Sequence, residues 1–166
     1  MTGPIAALFE EYHASLVRML TRRTGDSDRA EEIAQEVFAR AVVAPPRNPR
    51  PWLFAVALNL VREEGRRRVT LDRRLVLYKA EQQDAVEGPD EAMDRADRIA
   101  SVRNALDMLT ERDRDALLLK AEGFSYDDIA ATLGLARGAV GTTLSRARAR
   151  LVEAYRAGKE QHDAAS

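Results

Sequence analysis

Residues 122–151, EGFSYDDIAATLGLARGAVGTTLSRARARL, constrain the fold more than any other part of the chain. Ser125 can cap a short helix whose apolar positions recur at helical spacing. Gly134 then supplies the positive φ that a tight turn requires. A second helix follows, with Val140 and Leu144 on its inward stripe. The pattern predicts a helix-turn-helix.

Basic side chains follow the outer face of the second helix of this pair, among them Arg137, Arg146, Arg148 and Arg150. Docking in the major groove of DNA requires such a face on the second helix. An ordinary helical hairpin with a solvated basic face gives the same pattern. This segment by itself favours DNA binding and leaves the plain hairpin open as an alternative.

Length and composition indicate an all-α protein of one domain or two small ones. The chain has 166 residues, of which 45% are hydrophobic and only 5% aromatic, and long alternating β-branched runs are absent. It contains no cysteine, which excludes disulfides and thiolate chemistry. We find neither a basic leader nor an apolar run of membrane-spanning length, so we expect a cytoplasmic protein without membrane insertion.

The charge of the chain is nearly balanced but unevenly distributed. The formal net charge is −1, whereas a freestanding nucleic-acid binder is usually basic. Arginines cluster at positions 66–68, 73 and 74, directly before an acidic stretch at 81–97. We therefore expect weak DNA binding by the chain alone and a large partner that supplies most of the binding energy.

Turn residues divide the N-terminal half into three predicted helices. The first spans about 4–24 and ends at Gly25, and the second is capped by Ser27 or Asp28 and continues to about residue 43. The prolines of 45–51 prevent regular helix, so the third helix starts near Pro51. We expect it to end early, because Gly65 weakens it by about 1 kcal/mol.

The C-terminal half is predicted to begin with a helix whose inward stripe is Ile99, Val102, Leu106 and Leu109. Thr110 caps the helix that precedes the helix-turn-helix. Residues beyond Tyr155 are polar and expected to be disordered.

Three segments in this order resemble the bacterial sigma-70 family, specifically its small extracytoplasmic-function (ECF) group. They are DRAEEIAQEVFAR (28–40), WLFAVALNLVREEGRRR (52–68) and the run from LTERDRDALLL (109–119) into the helix-turn-helix. The resemblance covers about residues 5–68 and 98–155. It implies an N-terminal sigma domain at 1–68, an acidic linker at 69–94, a C-terminal helix-turn-helix domain at 95–155 and a disordered tail at 156–166.

The resemblance implies a sigma factor, which binds core RNA polymerase and directs promoter recognition and DNA melting. Such a protein catalyses no reaction and needs no cofactor. The implied partners are the β′ clamp and β flap of the polymerase and promoter DNA, with an anti-sigma factor as a further candidate. The free chain is expected to be a monomer.

Glu32, Gln35 and Glu36 share one exposed helix face, because they are spaced at i, i+3 and i+4. In the family this face of the first domain docks on the β′ clamp, so the resemblance assigns these three residues to polymerase binding. A merely solvated acidic face is the alternative explanation.

The proline-rich loop and the helix after it combine basic groups with an aromatic ring, which suits an unstacked single strand. In the family this region melts the −10 element and captures a flipped base. The resemblance assigns the base contact to Asn59. Trp52, the single tryptophan, is a candidate for stacking on a base, but a core position is the more common role for such a ring. The full set of candidate −10 residues is Arg47, Asn48, Arg50, Trp52, Asn59, Arg66, Arg67 and Arg68.

The start of the second helix of the helix-turn-helix departs from the family. Members carry a TVKSR-like string there, but this chain reads AVGTT at 139–143, so basic residues are missing at Gly141 and Thr143. We expect a −35 interaction that is weaker or tuned to another sequence. The candidate −35 residues are Arg137, Thr142, Thr143, Ser145, Arg146 and Arg148.

Two other functions remain open from the sequence. A stand-alone helix-turn-helix regulator would bind duplex DNA without polymerase, normally as a dimer on paired half-sites. A helical adaptor would use the same amphipathic helices without binding DNA. An enzyme is disfavoured, because His13 and His162 are isolated and we find no phosphate loop or metal-spaced set.

Overall fold

The computed structural model describes residues 3–79 and 90–164, with side chains described for 3–65 and 94–164. This part of the chain contains helices and no strand, which confirms the predicted all-α fold. The helices are α1 (Pro4–Thr24), α2 (Ser27–Val43), α3 (Pro49–Lys79), α4 (Asp90–Asp107), α5 (Glu111–Ala121), α6 (Tyr126–Leu133) and α7 (Arg137–Ala164). None of these helices is long and apolar enough to cross a membrane.

Helices α1, α2 and α3 pack on one another and form the N-terminal domain. Helix α1 has the predicted bounds and ends at Gly25, whose φ of 77° is left-handed. Helix α2 is capped by Asp26, whose side chain accepts hydrogen bonds from the backbone of Asp28 and Arg29, both at 3.1 Å. The cap therefore lies one residue before the predicted Ser27, because the carboxylate of Asp26 reaches both amides.

Helix α3 departs from the prediction at both ends. It begins at Pro49 rather than near Pro51, since prolines are tolerated in a first turn, where amides lack helical partners. It continues through Gly65 to Lys79, so the predicted early end is wrong. One glycine among good helix formers costs too little to stop a helix. The side chains at 66–93, and residues 80–89 of the predicted linker altogether, lie outside the described residues.

Helices α4 to α7 form the C-terminal domain, and its predicted caps are confirmed. The hydroxyl of Thr110 accepts from the amide of Asp113 at 3.2 Å, and that of Ser125 accepts from Asp128 at 3.1 Å. Gly134, with φ 67°, ends α6. Helix α7 extends to Ala164, so the expected disorder from 156 is wrong for residues 156–164. That segment is rich in Ala, Lys, Glu and Gln, which favour helix.

The predicted inward stripe of α4 is only half right. Leu109, just beyond the helix, is buried, but Ile99 and Val102 are 61% and 43% exposed. Helix α4 packs on α7, and Ile99 and Val102 line an open groove together with Thr21, Arg22 and Gly25 at the end of α1. Arg114 fixes the end of α4 by donating to the carbonyl of Leu106 at 2.9 Å. Its burial in this role lowers the pKa of Arg114 below the usual value.

The two domains pack directly against each other. Helix α1 contacts α5, and α3 contacts α6. The rings of Phe54 and Phe124 meet edge to face at 4.7 Å between centroids, and both side chains are buried. The hydrophobic core is therefore continuous from one domain into the other.

Candidate functional site

The acidic face predicted on α2 is present. Glu32, Gln35 and Glu36 are exposed, while the opposite side of α2 is buried in the N-terminal core. Arg29 pairs with Glu32, and Arg40 donates to Glu36 at 3.1 Å. These pairs lie within the helix, so a partner that presents cations can compete for the carboxylates at little cost.

An exposed apolar patch adjoins this face at the end of α2, and the sequence analysis did not identify it. Val42 and Val43 are 59% and 86% exposed. A shallow pocket beside them is lined by Glu36, Val43 and Trp52, among others. The signal was available in the sequence, because Val42 and Val43 fall off the stripe of buried positions that includes Val37 and Ala41.

The loop before α3 and one face of α3 present three of the predicted DNA-contacting residues to solvent. Arg47, Asn48 and Asn59 are exposed. Trp52 is half-buried and packs against the core, which supports a core position for most of its ring. Asn59 lies seven residues after Trp52 and so shares its face of α3.

Arg50, in the first turn of α3, is an exception among these candidates, because the C-terminal domain binds it. Its guanidinium donates to the carbonyl of Glu122 at 3.0 Å and lies 4.1 Å from the centroid of the Phe124 ring. The carboxylate of Asp128 is 3.7 Å away. These contacts join residues more than 70 positions apart, so no local pattern in the sequence predicts them.

The outer face of α7 differs from the prediction at one position. Thr142, Ser145 and Arg148 are exposed as expected. Thr143 is only 5% exposed and packs inward with Leu144. The candidate role of Thr143 in DNA contact is therefore wrong for this structure, because its position on the helix turns its side chain into the core.

Two arginines of α7 are bound by a buried carboxylate. Asp113 of α5 accepts from Arg150 at 2.9 Å and from Arg146 at 3.3 Å. Asp113 itself is buried, so the bonds from both arginines hold α7 against α5. Each guanidinium uses only some of its N–H groups in these bonds. Arg137 lies 2.5 Å from Asp127 in an exposed pair. Arg148 thus differs from its neighbours, since it has no carboxylate partner among the residues whose side chains are described.

Comparison with known families and proteins gives consistent matches. The model of Sigma-70 region 2 matches residues 8–70, and that of Sigma-70 region 4 matches residues 99–151. The ECF RNA polymerase sigma factor EcfG of Rhodopseudomonas palustris is 34% identical over 135 residues, which cover 77% of this chain and 72% of that protein. SigL of Mycobacterium tuberculosis is 34% identical over 148 residues, which cover 83% and 81%.

Solved structures have a similar fold. CnrH, determined in complex with the cytosolic domain of CnrY, superposes with a TM-score of 0.64 at 26% identity, covering 92% of this chain and 88% of that one. The sigma factor RpoE of Bartonella quintana, in complex with the anti-sigma factor NepR, gives a TM-score of 0.59 at 25% identity, covering 89% and 95%.

The opposite environments of Thr142 and Thr143 predict opposite responses to the same substitution. Thr143→Arg places a long cation in the core, and we expect it to lower the free energy of unfolding by more than about 3 kcal/mol. Thr142→Arg adds the same group at an exposed position and serves as the matched control, with a change within about 0.5 kcal/mol. Urea denaturation followed by circular dichroism measures both, and equal losses would contradict the assigned orientation of α7.

Proposed function

Because the chain belongs to the ECF group of the sigma-70 family, whose members direct core RNA polymerase to promoters, we propose which of its surfaces carries out each step. The protein is a sigma factor and not an enzyme. The observation that carries the proposal is the separation of two exposed faces, an acidic one on α2 and a hydroxyl-rich and basic one on α7, in different domains.

The α2 face is the proposed binding site for the β′ clamp of the polymerase. Glu32, Gln35 and Glu36 supply charge and hydrogen-bond acceptors, and the adjoining patch of Val42 and Val43 supplies apolar area. A polar face beside exposed apolar side chains is typical of protein–protein interfaces. We propose that the C-terminal domain binds the β flap of the polymerase.

The loop before α3 and the first half of α3 are the proposed −10 site. Arg47 and Asn48 are exposed at the loop, and Asn59 is exposed on the helix face that continues from Trp52. Amide groups recognise base edges, and guanidinium groups neutralise phosphate. We include Arg50 in this site, together with the backbone-contacting arginines at 66–68, whose side chains are outside the described residues.

The exposed face at the start of α7 is the proposed −35 reader. Its side chains are Arg137, Thr142, Ser145, Arg146 and Arg148. Gly141 lies among them without a side chain, and a Cβ added there would meet only the ring of Tyr126 at 3.6 Å, which is ordinary contact. A lysine side chain would therefore fit at position 141, and the basic group is missing only because the residue is glycine.

The cellular setting follows from the partners. We propose a cytoplasmic protein, monomeric when free, that acts where the polymerase acts. Since CnrH was solved with CnrY and the Bartonella factor with NepR, an anti-sigma factor is a proposed partner of this chain also.

The α2 assignment predicts that charge reversal weakens polymerase binding. Glu32→Lys, Gln35→Lys and Glu36→Lys together should raise the Kd for core enzyme at least tenfold, because they repel the cations that the carboxylates attract. Glu10→Lys, Ala14→Lys and Glu153→Lys remove as many carboxylates and add as many lysines at other exposed positions. Both triple variants are compared with the native chain by fluorescence anisotropy, with helicity checked by circular dichroism. Equal affinities of the two triple variants would contradict the clamp assignment.

The −10 assignment predicts a defect confined to DNA opening. Asn59→Ala should reduce permanganate-detected melting by holoenzyme about tenfold, because one base contact contributes on the order of 1–3 kcal/mol. Closed-complex formation, measured by gel shift on duplex promoter, should change less than twofold. Glu63→Ala, one turn further on the same exposed face, is the control. An equal loss in both steps would instead mark Asn59 as a structural residue.

The −35 assignment predicts a gain of affinity from one substitution. Gly141→Lys should tighten holoenzyme binding to duplex promoter DNA. The slope of log K against log salt should become steeper by the amount expected for about one additional phosphate contact. Gly158→Lys is the control, because it adds the same charge and the same helix propensity to α7 far from the proposed −35 site. Arg148→Ala, which removes a cation from that site, should weaken binding. If Gly141→Lys and Gly158→Lys behave alike, this face of α7 does not contact DNA.

A further inference from the structure

Ion pairs between the two domains have a consistent polarity. The N-terminal domain supplies guanidinium groups and the C-terminal domain supplies carboxylates. Arg23 donates to Asp115 at 3.0 Å, and Arg62 donates to its second oxygen at 2.6 Å. Arg18 donates to both carboxylate oxygens of Glu122, and the shortest of these bonds is 2.7 Å. Asp115 is completely buried and the side chain of Glu122 is 2% exposed, so both carboxylates depend on the other domain for neutralisation.

The same contact binds Arg50. Its guanidinium lies between the carbonyl of Glu122, the ring of Phe124 and the carboxylate of Asp128. A side chain in this position cannot also neutralise a phosphate of a melted strand. When the domains are packed together, Arg50 of the proposed −10 site is therefore bound by residues at the start of the helix-turn-helix and is not available to DNA.

Promoter geometry requires the two domains to separate. The −10 and −35 elements are about 25 base pairs apart, which is about 85 Å of duplex at 3.4 Å per base pair. Domains joined by direct side-chain contacts cannot place one site on each element. Separation is reversible, because the hydration that the charged groups recover on exposure offsets a large part of the energy of these ion pairs.

We propose that Asp115 and Glu122, with the arginines that bind them, form an ionic latch that holds the free chain closed and keeps Arg50 from DNA. The latch is a regulatory device, since only contacts that compensate for these ion pairs open it. The inference rests on the proposed role of Arg50 in the −10 site, but the latch itself is testable without DNA.

Energy transfer between two dyes measures the closure directly. The chain has no cysteine, so Ala14→Cys and Ala157→Cys, both at exposed positions, give one labelling site in each domain. Arg62→Gln and Asp115→Asn should each lower the transfer efficiency, because each leaves a latch group without its partner. Asp113→Asn is the matched control, since Asp113 is equally buried on α5 but pairs only with arginines of its own domain.

Destabilisation of the fold is separated from opening by a second set of variants. Arg18→Ala and Arg22→Ala together remove half-exposed partners of Glu122 and should also lower the transfer, while circular dichroism stays unchanged. The latch is overturned if the transfer efficiency is unchanged in Arg62→Gln and in this double variant, or if Asp113→Asn lowers it as much as Asp115→Asn.

Binding of a fluorescent single-stranded −10 oligonucleotide tests the second half of the proposal. Arg62→Gln should bind it at least about threefold more tightly than the native chain, and Arg50→Ala in the same background should remove the gain. A lower transfer efficiency without tighter binding would support the latch and overturn the proposed −10 role of Arg50. Tighter binding without a change in transfer would overturn the latch.

Discussion

Two buried carboxylates on α5 connect the helices of this protein. Asp113 and Asp115 are two positions apart, so they leave the helix in different directions. Asp113 binds arginines of α7, and Asp115 binds arginines of α1 and α3. An unpaired carboxylate in either place would carry the full penalty of a buried charge. The orientation of the recognition helix and the packing of the domains are therefore both linked to one short helix.

Local signals in the sequence were sufficient for most of the secondary structure. The caps at Thr110 and Ser125, the helix end at Gly25 and the left-handed Gly134 were predicted, because each acts within a few residues of itself. The family resemblance supplied the function, which the comparisons confirm. The ends of α3 and α7 were predicted too early, because a polar or glycine-containing segment lowers helix stability without ending a helix.

Long-range pairs could not be predicted, because local patterns do not show which distant residues meet. The structure pairs Arg62 with Asp115 and Glu64 with Arg29. The family resemblance predicts that Thr143 faces DNA, because members carry a basic residue there. The buried positions Val140 and Ala147 instead fix the rotation of the helix so that Thr143 packs inward. Helical periodicity by itself predicts an inward position for Thr143, since it lies three residues after Val140 and four before Ala147.

The internal use of arginine also explains how a chain with many basic residues is suited to work with a larger partner. Arg50 and Arg146 are bound by backbone or carboxylate groups of the protein, which reduces the positive charge available to phosphate. Affinity for DNA rises with the number of phosphates that cationic side chains neutralise. Since Gly141 stands where the family carries a basic reader, the helix-turn-helix has few cations for the proposed −35 contact. In the proposed assignment, polymerase binding through α2 supplies the affinity that the DNA-contacting surface lacks. The same assignment leaves promoter choice to hydroxyl contacts and a small number of guanidinium groups.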